Sequence, residues 1–71
     1  MELAQRAVVD TKARVMVRSI QAMAQDLGIL TIAEGIETEA QRDLMREIGI
    51  DWGQGYLWGK PEVDLQRVVL A

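Results

Sequence analysis

Two carboxylates and one amide are the side chains of this chain whose types and spacing could do chemistry. Glu34 and Glu37 directly follow a short apolar run, residues 29–33, and Gln54 lies between two glycines further along. The chain has no cysteine and no histidine, which excludes thiolate and imidazole metal sites and nucleophilic sites of the Ser-His-Asp or Cys-His type. Any bound metal is therefore expected to have carboxylate and amide ligands, which favours magnesium, manganese or calcium.

Each of these three side chains also has a purely structural interpretation. Glutamates near a helix start interact favourably with the positive end of the helix dipole, and on composition alone this accounts for Glu37 better than catalysis does. Glu34 lies further before the predicted helix, so the dipole explains it less well and both interpretations stay open. Gln54 can be an exposed amide at a bend or an amide aimed at a ligand or an ordered water, because glycines in a strand mark bulges and close backbone approaches.

The longest predicted helix covers residues 11–27. Its apolar residues recur at three- and four-residue intervals and form one wide stripe: Ala13, Met16, Val17, Ile20, Met23, Ala24 and Leu27. This pattern places Gln21 on the opposite, polar side, and Gly28 is expected to be the C-cap. Residues 1–10 show only a weak amphipathic pattern of one or two helical turns.

The candidate acids lie between a predicted strand and a second predicted helix. Residues 29–33 are apolar without alternation, which is typical of a strand covered on both faces in a parallel sheet. Thr38 as N-cap, with Gln41 three residues later, predicts a helix that continues to Ile48 and ends at Gly49. A buried strand that delivers acids at its C-terminal end is where ligands bind in parallel α/β sheets and barrels.

The C-terminal third contains the other candidate residue. Residues 50–58 are expected to form a second strand around Gln54, residues 59–61 a turn, and residues 63–71 a final helix. The order of helix, strand, helix and strand predicts an α/β fold with parallel strands.

Length and charge limit the classes of protein that this chain can be. Its 71 residues make at most one small domain, and its net charge of −3 argues against binding to a nucleic-acid polymer. No apolar run approaches the roughly 20 residues of a membrane span, and no signal-peptide pattern is present. We therefore expect a cytoplasmic protein without a membrane segment.

Two motifs carry a specific resemblance. A-E-G-I-E-T-E-A-Q, at residues 33–41, and I-G-I-D-W-G-Q-G-Y-L-W-G-K-P, at residues 48–61, together closely resemble the last part of an EAL domain, the family of bacterial cyclic-di-GMP phosphodiesterases. The resemblance implies that residues 1–71 are a partial EAL domain: the C-terminal βα portion, with the last two strands and their helices, of a TIM-barrel-like fold. Residues 1–3 resemble the sequence after the family's Lys-Ile-Asp strand end, so the chain is expected to begin just past the catalytic lysine.

The resemblance assigns roles to the three candidate side chains. Glu34 matches a glutamate associated with the second divalent metal, and Glu37 matches a glutamate that holds a flexible active-site loop. Gln54 matches a glutamine that faces the site near the attacking water. Ile36 replaces the usual valine and Trp58 replaces a common phenylalanine, and both changes keep apolar character.

The implied activity belongs to the full domain, which hydrolyses cyclic di-GMP to linear pGpG with two Mg²⁺ or Mn²⁺ ions. The Glu-Ala-Leu signature, the metal-binding asparagine, another glutamate, the paired aspartates and the lysine of the family are missing here. We therefore expect the chain alone to be inactive and to bind no metal. The alternative is a self-associating or regulatory binding module derived from a degenerate EAL domain, which forms homo-oligomers through exposed sheet edges. A third interpretation is that these residues are the ordered part of a longer sensor protein.

Overall fold

The computed structural model describes residues 2–58 and the backbone of residues 66–67. In chain order the elements are α1 (Leu3–Val9), α2 (Thr11–Asp26), β1 (Ile32–Ala33), α3 (Glu39–Ile48), β2 (Trp52–Gly53), a 3-10 turn (Tyr56–Trp58) and β3 (Gln66–Arg67). The sheet has the order β1-β2-β3, in which β1 and β2 are parallel and β3 is antiparallel to β2. The predicted α/β class, with parallel strands connected through a helix, is confirmed for this part of the chain.

Arg14 joins α1 to α2. Its guanidinium group donates hydrogen bonds to the carbonyls of Ala7 at 2.9 Å and Val8 at 3.0 Å. These carbonyls lie in the last turn of α1, where a helix leaves its acceptors without intrahelical partners. Asp10 lies between the two helices and accepts a hydrogen bond from the N–H of Lys12 at 3.0 Å, so that it caps α2.

The ends of α3 follow directly from local chemistry. The Thr38 hydroxyl accepts from the N–H of Gln41 at 3.2 Å, and the Gln41 side chain accepts from the N–H of Thr38 at 3.2 Å, which completes the predicted capping box. Gly49 ends the helix in the left-handed conformation, with φ +100°. The predicted helix and both of its ends are therefore confirmed.

A small core holds the helices on the sheet. Its buried members are apolar: Ala4, Ala7, Val17, Ala33, Ile36, Met45 and Ile50. Ile36 and Met45 are its largest fully buried side chains, with 0% and 1% exposure. The alanines of α1 let that helix lie close to its neighbours because they add little volume at the contact.

The apolar stripe of α2 is wider than the surface that the helix buries. Ala13, Val17 and Ala24 are buried, as the stripe predicts. The remaining members are exposed and form what we call the lateral face: Met16, Ile20, Met23 and Leu27. Gln21 has only 5% exposure, so its predicted place on the polar side is wrong. The helix is rotated about its axis relative to the prediction, because its buried side includes a polar residue that finds partners inside.

The buried Gln21 belongs to a polar network at the N-terminal ends of β1 and β2. Its amide N–H donates to the carbonyl of Gly49 at 2.8 Å, and its Oε1 accepts from the hydroxyl of Thr31 at 2.7 Å. The carboxylate of Asp51 accepts from the N–H of Thr31 at 3.0 Å. Because Thr31 and Asp51 directly precede the paired residues of the two strands, these bonds hold the strands in register.

The strand predicted over residues 29–33 is shorter and more exposed than expected. Only Ile32–Ala33 pair as β1, and the side chains of Ile29, Leu30 and Ile32 are exposed. The prediction that this strand is covered on both faces is therefore wrong within the described residues. β1 is the outer strand of the described sheet, and the lateral face of α2 continues beside it: Ile20 and Ile32 line the same cavity.

The C-terminal predictions are corrected in two places. The strand expected over residues 50–58 is limited to Trp52–Gly53, and the 3-10 turn Tyr56–Trp58 follows it. In the segment 63–71, predicted to be helical, Gln66–Arg67 form a strand that pairs with β2, so the prediction is wrong there. The predicted turn at residues 59–61 and the rest of that segment lie outside the described residues.

Replacing Gln21 with alanine tests the polar network. The carbonyl of Gly49 would lose its donor, and a buried polar group without a partner costs about 1–3 kcal/mol. We therefore expect the free energy of unfolding, measured by urea denaturation, to fall by that amount. Gln25→Ala, an exposed glutamine on the same helix, is the control and should change it by less than about 0.5 kcal/mol. Equal stability of the two variants would contradict the role given to the network.

Candidate functional site

The parallel register of β1 and β2 brings Glu34 and Gln54 to the same edge of the sheet. Ala33 and Gly53 are partners in the pairing, so the two candidate residues are the next ones along neighbouring strands. The N–H of Gln54 donates to the carbonyl of Ala33 at 2.9 Å, and the N–H of Ile36 donates to the carbonyl of Gln54 at 3.0 Å. The backbones on either side of Glu34 are therefore hydrogen-bonded to the segment around Gln54, at the carboxyl ends of both strands.

Glu34 presents its carboxylate to solvent beside a largely apolar cavity. The side chain is exposed, and within residues 2–58 it makes no hydrogen bond to another side chain. It lines a cavity of about 280 Å³ whose walls come from α1, α2, β1, α3 and Ile50. Glu2 is the other charged residue among the cavity-lining residues. This end of the cavity therefore carries two negative charges.

The glycines on either side of Gln54 are explained by close packing. A Cβ added to Gly53 would lie 2.7 Å from the Trp58 ring and 2.8 Å from the Ile36 side chain. A Cβ added to Gly55 would overlap the backbone of Ile36 itself. The interpretation that these glycines mark a close backbone approach is confirmed, because β2 and the turn after it lie directly against Ile36.

Gln54 itself is half-buried at the edge of the sheet. Its backbone is bonded on both sides, and its amide makes no side-chain hydrogen bond within residues 2–58. The side chain can therefore donate and accept hydrogen bonds at this edge.

Glu37 is engaged in a contact that the sequence did not predict. Its Oε1 accepts from the Nε2 of Gln5 on α1 at 2.8 Å, and the same nitrogen donates to the carbonyl of Gly35 at 2.6 Å. The N–H of Glu37 donates to the Gln41 side chain at 2.7 Å. Glu37 thus links α1 to the start of α3 and restrains residues 34–37, which we call the acid loop.

Gln5 is the residue near the site that sequence reasoning missed. It lies in a short helix with a weak pattern and is separated from Gly35 and Glu37 by 30 and 32 positions. No local motif marks such a contact. Gly35, with φ +73°, packs against Glu2 and Gln5, so that α1 covers one side of the acid loop.

The described residues contain no cluster of metal ligands, but Glu34 and Gln54 are oxygen donors at one edge of the sheet. In the ranges 2–58 and 66–67, no three acidic, histidine or cysteine residues lie close enough together to hold a metal ion. Glu34 is a free carboxylate with the chemistry that Mg²⁺ or Mn²⁺ prefers, and Gln54 adds an amide oxygen nearby. These two side chains supply two of the oxygen ligands that such an ion would need.

Gly55→Ala tests the close contact behind Gln54. The added methyl group would overlap the Ile36 backbone, and we expect the free energy of unfolding to fall by about 2 kcal/mol or more. Gly28→Ala is the matched control: it also has a positive φ, of +70°, but an added Cβ there meets nothing within 4 Å. It should cost only about 1 kcal/mol of backbone strain, measured by the same urea denaturation. A Gly55 variant no less stable than the Gly28 variant would show that the contact is not tight.

No helix within the described residues is long and apolar enough to cross a membrane.

Comparison with known proteins identifies the family. Residues 1–61 match the EAL domain. Among relatives, an uncharacterized protein of Sinorhizobium fredii, y4lL, is 44% identical over 78% of this chain and 7% of its own length. The cyclic di-GMP phosphodiesterase RocR of Pseudomonas aeruginosa is 41% identical over 65% of this chain and 12% of its own. The cyclic di-GMP phosphodiesterase PdeL of Escherichia coli is 40% identical over 80% of this chain and 16% of its own. The chain therefore spans a small part of these relatives, and it belongs to the EAL domain family.

Proposed function

We propose that this chain is the C-terminal βα portion of a cyclic-di-GMP phosphodiesterase domain. In this proposal β1 and β2 are the last two strands of a TIM-barrel-like fold, and the complete domain hydrolyses cyclic di-GMP to linear pGpG. The strongest support is the register of β1 and β2, which brings Glu34 and Gln54 together at the carboxyl ends of parallel strands. This is the edge at which barrels of this type bind their substrates. The names of several relatives, RocR and PdeL among them, support the substrate.

Each of the three side chains has a separate proposed task. The Glu34 carboxylate is one ligand of a divalent ion, Mg²⁺ or Mn²⁺, whose other ligands lie outside this chain. Such an ion polarises a phosphodiester and lowers the pKa of a bound water. The Gln54 amide orients the attacking water by hydrogen bonding. Glu37 does not contact the substrate; its carboxylate is bonded to Gln5 and holds the acid loop.

The chain alone should not catalyse this reaction. Two-metal hydrolysis needs carboxylates that hold two ions about 3.5–4 Å apart. Glu34 supplies one such ligand, and Glu37 is already bonded to Gln5. We therefore propose that the 71-residue chain on its own neither binds the ions nor turns over cyclic di-GMP.

A domain transplant tests this proposal. Residues 1–61 would replace the corresponding segment of RocR, and hydrolysis of cyclic di-GMP would be followed with Mn²⁺. We expect an active chimera, and we expect Glu34→Ala to lower kcat/KM by roughly 100-fold because a metal ligand is lost. Gln54→Ala should lower kcat more mildly, by roughly tenfold.

Gln25→Ala is the control in the chimera and should leave activity unchanged, because this side chain is exposed on α2, away from the acid loop. The isolated chain, assayed in parallel, should show no turnover above its own Glu34→Ala variant. Calorimetry that finds the same Mn²⁺ affinity in the chimera with and without Glu34 would refute the role of Glu34 as a ligand.

A second candidate function, self-association, is favoured by the apolar surface beside β1. Exposed large apolar residues form the lateral face of α2 and the segment that leads into β1: Met16, Ile20, Met23, Leu27, Ile29, Leu30 and Ile32. β1 is the outer strand of the described sheet, with one edge that pairs with no described strand. An apolar helix face beside a free strand edge is a surface that a second copy can cover.

Sedimentation of the free chain tests self-association. We expect the average mass to rise with concentration, and Ile20→Asp to reduce this rise because it places a charge in the lateral face. Val15→Asp is the matched control: Val15 is also exposed but lies about 140° around α2 from Ile20, outside the lateral face. A monomer at all concentrations, or an equal effect of the two substitutions, would contradict this second candidate.

A further inference from the structure

The acid loop is restrained from two sides by different elements. On the β2 side, the N–H of Ile36 donates to the carbonyl of Gln54 at 3.0 Å. On the α1 side, the Gln5 amide donates to both the Gly35 carbonyl at 2.6 Å and the Glu37 carboxylate at 2.8 Å. The two hydrogen bonds donated by the Gln5 amide therefore hold the acid loop against α1.

One of these two hydrogen bonds of Gln5 acts on Gly35, the residue next to Glu34. Gly35 follows Glu34 directly in the chain, and its φ is +73°. Fixing that carbonyl fixes the direction in which the chain leaves Glu34. Because the Glu34 side chain is exposed and has no side-chain hydrogen bond within residues 2–58, its backbone sets the range of positions that the carboxylate can reach.

We propose that Gln5 is a positioning residue for Glu34: it holds the acid loop so that Glu34 stays beside Gln54. The inference rests on the proposed function, in which Glu34 is a metal ligand, and it adds a residue from α1 that touches neither metal nor substrate. Gln5 suits this task because its Nε2 carries two hydrogens and both of its acceptors lie on the acid loop.

Exchanging donor and acceptor between α1 and the acid loop separates this role from simple packing. Gln5→Glu puts a carboxylate opposite the Glu37 carboxylate and the Gly35 carbonyl, so that three acceptors face one another without a donor. In the double variant Gln5→Glu with Glu37→Gln, the new amide at position 37 can donate to the new carboxylate at position 5. The double variant keeps the net charge of the original pair and restores the bond between positions 5 and 37, while the Gly35 carbonyl still lacks its donor, so it tests the contribution of the 5–37 bond.

Amide hydrogen exchange in the full chain is the readout, because it does not depend on metal or substrate. In Gln5→Glu, the amides of Ile36 and Glu37 should exchange roughly tenfold faster, because two hydrogen bonds to the acid loop are lost and two carboxylates are brought together. The double variant should recover a large part of this protection. Amides of α2 should keep their rates throughout, and Gln25→Glu, the same change at an exposed position, should alter none of them.

Three results would overturn the inference. The first is unchanged exchange at Ile36 and Glu37 in Gln5→Glu. The second is an increase that spreads equally over α2, which would indicate general loss of stability. The third is a double variant that exchanges as fast as Gln5→Glu.

The RocR chimera then reports the consequence for Glu34. Gln5→Glu should raise the Mn²⁺ concentration required for half-maximal activity at least threefold, and Gln25→Glu should leave it unchanged. An unchanged Mn²⁺ requirement, with faster exchange in the acid loop, would show that Gln5 does not position Glu34 and would overturn the inference. A chimera that is inactive without any substitution in residues 1–61 would instead refute the proposed function, while the exchange rates in the full chain would still decide whether Gln5 restrains the acid loop.

Discussion

The parallel pairing of β1 with β2 is the contact on which the candidate site depends. Each strand contributes only two residues to it. A slip by one residue would move Glu34 away from Gln54 and would turn every side chain to the other face of the sheet. Polar bonds prevent this at both ends: Thr31 with Asp51 before the paired residues, and Ile36 with Gln54 after them. These bonds compensate for the short ladder.

Ile36 connects this pairing to the acid loop. Its side chain is fully buried in the core, and its backbone lies against Gly55 so closely that no side chain fits between them. The same residue donates to the carbonyl of Gln54 and accepts from the N–H of Leu57 at 3.1 Å. The chain on both sides of the candidate site is thus anchored in the core through one residue, while the functional side chains remain at the surface.

Elements governed by neighbours in sequence could be predicted, and those governed by distant partners could not. The capping box of α3 and its C-cap at Gly49 involve residues within a few positions of one another, and both were predicted correctly. Gln21 was misplaced because its partner Gly49 is 28 positions away, and a polar residue on a helix is assigned to solvent when no partner is visible. Gln5 was missed for the same reason.

The breadth of the apolar stripe on α2 explains the other errors. A stripe read from sequence shows how much of a helix avoids water, but it does not show which part faces the core of the same chain. The correct part of the prediction is the buried part of the stripe, at Ala13, Val17 and Ala24. The rest of the stripe is the exposed lateral face. Ile32 on β1 is exposed as well, because it lies beside the lateral face and lines the same cavity as Ile20.

The lateral face and the adjacent edge of β1 make the stability of this chain depend on the molecules that bind there. Covering the lateral face and the outer edge of β1 removes apolar surface from water only when the chain is folded, since only then do helix and strand lie side by side. Any molecule that binds there adds its binding free energy to the free energy of folding, in proportion to the logarithm of its concentration. The melting temperature of this chain is therefore expected to depend on which binding molecules are present and at what concentration.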